Sequence, residues 1–152
     1  MPVKKALEIA ARICDILQQA HGESIVYRDH KVLHYYWSEQ PRPRLDIIDW
    51  NVAKYHPEGL SEQELQHDLV EFGARTLHYL LTGRAAPGAL QLGPTRPQDI
   101  EKAPLHYDVK WQYDDRRLPE NVKQLVGKVL AGSFVSANHL NQEICQLLQE
   151  LQ

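Results

Sequence analysis

Cysteine is scarce in this chain: Cys14 and Cys145 are the only two in 152 residues. Both stand inside helix-like apolar patterns and not at metal-ligand or redox spacing, so a disulfide framework and a thiolate metal site are excluded, and two buried reduced thiols are expected. Long hydrophobic runs are also lacking. No window approaches the roughly 18 apolar residues of a membrane span, and the opening MPVKKALEIAARICDIL has neither an uninterrupted apolar core nor a small-residue cleavage site. The expectation is a cytoplasmic chain with no membrane contact. Excess charge of one sign is missing too, since 17 Lys and Arg against 20 Asp and Glu leave a net charge of −3. Neutralising phosphates needs a basic surface, so nucleic acid is not expected as a partner. What remains, 43% hydrophobic residues over a length of about one domain, reads as a single unit, 1–152, that buries a core without metal or disulfide.

From Lys4 to Ala20, Leu7, Ala10, Ala11, Ile13, Cys14, Leu17 and Ala20 recur at the spacing of an amphipathic helix, which His21-Gly22 ends. The following SIVYRDHKVLHYYW is rich in β-branched and aromatic residues, and Leu45-Asp46-Ile47-Ile48 follows the turn-like SEQPRPR. Two short strands around a proline-bearing turn are predicted. A helix is predicted from Asp68 to Leu81, with Thr82-Gly83 as its stop. Residues 83–118 carry Pro87, Pro94, Pro97 and Pro104 and read as an ordered, irregular excursion with at most one short helix. Pro119-Glu120 open another helix closed by Gly132, and Ser136 caps the last, which runs to about Leu151.

The chemistry concentrates in Tyr27-Arg28-Asp29-His30-Lys31 and, 20 positions after Asp29, in Ile48-Asp49-Trp50-Asn51. Two acidic residues leaving neighbouring short strands can serve phosphoryl transfer, one accepting the proton of the attacking hydroxyl and the other holding a phosphate-bound magnesium. IVYRDHKVLHYYW resembles the catalytic loop of eukaryotic-like serine/threonine protein kinases, and LDIIDWNVAK resembles the strand and metal-binding motif that follow it. DLVEFGARTLHYLLTGR is similar to the long central helix of the same lobe, and LPENVKQLVGKVLAG with the final helix is similar to its last two. The Ile-Asp-Trp spelling is also similar to the aminoglycoside phosphotransferase branch of that fold. The resemblance implies an α+β, mainly α-helical fold like a kinase C-terminal lobe, with one or two short hairpin strands and no N-terminal lobe.

Carried over residue by residue, the resemblance makes Asp29 the catalytic base, Lys31 the phosphate-contacting lysine, Asp49 the magnesium ligand and His34 the occupant of the family's metal-binding asparagine position. It also makes Arg28 and Asp68 structural, the Asp68 carboxylate accepting hydrogen bonds from the catalytic-loop backbone. The departures are several. No G-x-G-x-x-G occurs, and no strand lysine or helix glutamate is available to clamp nucleotide. Tyr27 replaces the histidine before Arg-Asp, Trp50-Asn51 replaces Phe-Gly, and an imidazole at His34 is a poor ligand for magnesium, which favours oxygen. Only 19 positions separate Asp49 from Asp68, without an Ala-Pro-Glu match.

Several blander readings compete for the same residues. Asp29 and Asp49 can be relics that hydrogen-bond the backbone. The i, i+4 pair His30 and His34 suits metal only on a helix, and this segment reads as loop and strand. Tyr35, Tyr36 and Trp37 read as core more readily than as a partner surface.

Two functions are weighed. The first is a catalytically impaired, pseudokinase-like module that binds or regulates protein, needs no cofactor, and has a protein partner or a second copy over the former interlobe surface. The alternative is a minimal magnesium- and ATP-dependent phosphotransferase using Asp29 as base and Asp49 as metal ligand, completed by another subunit. A fragment of a longer kinase is the third reading.

Overall fold

The computed structural model describes residues 1–90 and 93–152, apart from the side chain of Tyr113. Its first element is α1, Val3–Gly22, which buries Leu7, Ala10, Ile13, Cys14 and Leu17 of the expected stripe together with Ala6 and Ile9, while Ala11 and Ala20 are only partly buried. The segment after it is strand only at its ends. β1 (Ile25–Val26) leads into an open loop and a 3₁₀ turn, Val32–His34, before β2, Tyr35–Ser38. β2 pairs antiparallel with β3, Arg44–Ile47, in the register Tyr35 to Ile47, and the proline-bearing turn lies between them as expected. A second pairing, β1 with β4 (Lys54–Tyr55), closes the loop that both candidate motifs share.

The central helix departs from expectation at its start. It begins at Glu62, not Asp68, because Ser61 accepts the Glu64 N–H while the Glu64 carboxylate takes the Ser61 N–H, a reciprocal capping box. α2 (Glu62–Phe72) continues through a wide π turn, Gly73–Leu77, into α3 (His78–Thr82), which ends on Gly83 at φ 82°. Asp68 therefore sits inside the helix and is buried. The irregular excursion holds α4 (Pro97–Glu101) and a 3₁₀ turn, Tyr113–Arg117. It is packed, however: Tyr107, Val109 and Trp111 join the core, and Trp111 stacks on His78 with planes 6° apart.

α5 (Glu120–Leu130) and α6 (Ala137–Glu150) complete the lobe, with Ser136 capping α6 through the His139 N–H. α6 lies along α1, where Asn141 donates to Asp15 at 2.7 Å. One cysteine expectation fails. Cys14 is buried, and burial pushes its thiol pKa up, whereas Cys145 is exposed, one step round α6 from the buried Ile144. Among the described residues no helix is long and apolar enough to cross a membrane.

Candidate functional site

Asp68 is the post on which the loop after β1 is hung. Its Oδ1 accepts the Arg28 N–H at 2.9 Å and His30 Nε2 at 2.7 Å, and its Oδ2 accepts the Tyr27 N–H at 3.2 Å and His21 Nε2 at 2.7 Å. Burial alone would raise the Asp68 pKa, but His30 and His21, with the hydrogen bonds they make, hold it far below the ordinary carboxylate range. His30 is thus engaged by Asp68 and, through Nδ1, by the Tyr35 hydroxyl at 3.1 Å, so it is not turned towards His34 as a metal pair. Among the described residues no cluster of three or more His, Cys, Asp and Glu could hold a metal ion.

Both candidate motifs contain unusual backbone. Arg28 lies at φ 73° and Asp49 at φ 59°, left-handed values that non-glycine residues adopt at a cost of about 1 to 3 kcal/mol and keep only when neighbours fix them. The Asp68 carboxylate fixes Arg28 from one side. From the other, Arg28 Nε donates to the Val52 carbonyl at 2.7 Å, which ties the loop to the segment after Asp49. Arg28 and Asp68 so share one scaffold.

Tyr27 stands beneath both candidate acids. It is fully buried, its hydroxyl donates to the Ile48 carbonyl at 2.6 Å, and its ring meets Trp50 edge-on at 4.6 Å. Burial, with the charges of Tyr35, Asp29 and Asp49 adding to it, pushes the Tyr27 pKa up, so the phenol stays a donor. Trp50 is held separately by an indole N–H to the Ile47 carbonyl at 3.0 Å.

His34 then bridges the acids. Its Nδ1 lies 2.9 Å from the Asp29 carbonyl and 3.8 Å from Asp29 Oδ2, and its Nε2 lies 3.2 Å from Asp49 Oδ2. The two aspartates that the sequence singled out are brought together, and an imidazole occupies the space between them. Asp29 is buried, with Oδ1 at 3.5 Å from Lys31 Nζ and 3.7 Å from Arg75 Nη2, whereas the Asp49 side chain is half exposed.

Magnesium does not fit this donor set. The ion takes octahedral oxygen coordination, and here one Asp49 oxygen faces a ring nitrogen while the Asp29 carboxylate faces two cations. Asp29 Oδ1 makes no hydrogen bond among the described residues.

Arg75 and Glu71 were missed by sequence reasoning. Both are buried in the helix wall behind Asp29, Arg75 Nη1 standing 4.0 Å from Glu71 and Nη2 donating to Thr95 at 3.2 Å. Glu71 accepts the Tyr107 hydroxyl at 2.5 Å, and burial together with that carboxylate pushes the Tyr107 pKa up. In sequence Glu71 and Arg75 have the i, i+4 spacing of an ordinary exposed ion pair, so nothing marks them as buried. Exposed apolar side chains crowd the two site segments: Leu33 is 61% exposed and Tyr36 58%, with Ile48 and Trp50 also open. Of the strand aromatics, Tyr35 and Trp37 pack on the core and Tyr36 does not.

No protein-family model matches the chain, and no curated protein matches it. Among solved structures it is similar to the Rad53 kinase domain and SCD2 in complex with AMPPNP, at TM-score 0.63 and 18% identity, over 95% of this chain. This chain spans 58% of that one. At such identity the likeness speaks for the fold alone, and the fold is α+β and kinase-like, of the C-terminal-lobe type.

Proposed function

We propose that this chain is a catalytically impaired kinase-like lobe that works as a protein-binding or regulatory module. The observation that carries the reading is His34 between Asp29 and Asp49: the ring lies against Asp49 Oδ2 at 3.2 Å, where phosphoryl transfer needs metal-bound oxygen. Asp29 for its part is buried and faces Lys31 at 3.5 Å and Arg75 at 3.7 Å, not an open nucleotide cleft. The open Leu33, Tyr36, Ile48 and Trp50 support a protein partner or a second copy on this face, since grouped exposed apolar side chains favour burial. The net charge of −3 argues for protein over nucleic acid, and the reading includes a cytoplasmic location and no cofactor.

A second reading has one observation in its favour. Lys31 remains 3.5 Å from Asp29 and Asp49 keeps its left-handed backbone, so a subunit that displaced His34 would find the parts of a phosphotransferase in place. Calorimetric titration with ATP, with and without magnesium, separates the two. The binding-module reading expects no heat of binding and no rise in melting temperature at millimolar nucleotide, together with self-association or hydrophobic-dye binding. Magnesium-dependent nucleotide binding, or a monomer that binds no dye, contradicts it.

A further inference from the structure

β2 divides the molecule into two unlike faces. Tyr36 points to solvent, while Tyr35 and Trp37, alternating with it, point to the other side and pack on the core. On that reverse side is a cavity of about 410 Å³ between the start of α1, the β2–β3 hairpin and the end of α3. Its walls include Ile9, Tyr35, Trp37, Leu45 and Leu80, and Arg117 stands at its edge.

The polar ends of the wall aromatics are turned elsewhere. The Tyr35 hydroxyl meets His30 Nδ1 and accepts from the Thr76 hydroxyl at 3.4 Å, and the Trp37 indole N–H goes to Glu39 at 3.4 Å, so each offers ring carbon to the cavity. Among the described residues no acidic side chain lines it. Arg117 is exposed and forms no ion pair among the described residues; its Nη2 donates only to the Leu81 carbonyl at 3.1 Å. A guanidinium with one neutral partner keeps its remaining N–H groups for a carboxylate, for which its planar fork is shaped.

We propose that this cavity is a binding site for a small amphipathic carboxylate, its aliphatic or aromatic body lying against Trp37, Leu45 and Leu80 and its carboxylate on Arg117. The volume lies at the lower end of the roughly 300 to 1,000 Å³ of small-ligand sites, which suits a body of about ten carbons. Charge selects the occupant. An alcohol of the same length gains the apolar contact alone, and an ammonium meets Arg117 as a like charge.

Calorimetry with decanoate, decanol and decylammonium, each below its micelle concentration, tests this. Decanoate is expected to bind one per chain, at least tenfold tighter than decanol, with decylammonium weaker still. Arg117→Gln, a change at an exposed position, is expected to bring decanoate down to the affinity of decanol. Leu80→Trp, checked for an intact melting transition, is expected to abolish both by filling the cavity. Absence of decanoate binding, equal affinity for the three probes, or unchanged decanoate affinity in Arg117→Gln overturns the proposal.

Discussion

Oδ1 of Asp68 accepts the backbone N–H of Arg28 at 2.9 Å while holding His30 Nε2 at 2.7 Å, so one buried oxygen fixes both the backbone and a side chain of the loop. Replacing Asp68 with alanine leaves two backbone donors and two imidazoles without their acceptor. The expected loss is about 3 kcal/mol, from several hydrogen bonds to one buried charge. Chemical denaturation measures it. An unchanged unfolding midpoint would mean that Arg28 is held in its left-handed conformation by something else.

Stability should fall with pH in two stages. Burial depresses the His78 pKa below the ordinary histidine value, against a raising effect from the Arg84 carbonyl, so the unfolded chain binds the proton more readily. The stabilisation is complete above the unfolded value of about 6.5 and is lost as pH falls below it. Asp68 is likewise depressed, and its contribution is complete above the unfolded value of about 3.9 and disappears in more acid solution. Melting temperature from pH 8 to pH 3, with His78→Gln as comparison, is the measurement. The variant is expected to lose the decline below about pH 6.5 and to keep the acid one. Identical profiles would contradict the assignment.

Gly73 opens the π turn against α5, and a Cβ built there would come 2.4 Å from Val129 Cγ1. Alanine is the better helix former by about 1 kcal/mol, so propensity alone predicts stabilisation. Overpacking against a buried valine opposes it, at a typical cost of about 1 to 3 kcal/mol. Packing is expected to win, and Gly73→Ala to melt lower than the parent. A higher melting temperature would show that Val129 moves aside freely.

How far the sequence announced all this depends on the range of each interaction. The α1 and α6 stripes were readable because a 3.6-residue period is local. So, by motif, was Asp68 as a partner of the loop backbone, which its bonds to Tyr27 and Arg28 match. The start of α2 has a local signal too, since Ser61 and Glu64 spell a capping box ahead of the apolar run. Cys145 was assigned to the core although it neighbours Ile144, about 100° round the helix from the buried stripe. The β1–β4 pairing carries no local signal, for it joins two-residue strands nearly 30 positions apart by closing a loop. Arg75 was invisible for a related reason. It donates to Thr95, and Glu71 beside it accepts the Tyr107 hydroxyl; both partners come from the irregular excursion, and no periodicity of the helical segment reports them.

The imidazole of His34 lies against Asp49 and two cations surround Asp29, and on this geometry rests our proposal that the chain holds no phosphoryl-transfer centre. Such chemistry rests on positioning and electrostatic clamping of phosphates, which two aspartates do not supply by themselves. Transfer of labelled phosphate from ATP, with magnesium or manganese, is measured to the chain itself, to generic protein acceptors and to small hydroxylated acceptors. No transfer above the rate without protein is expected. Transfer that is abolished by both Asp29→Asn and Asp49→Asn would contradict the proposal and identify the chain as a phosphotransferase.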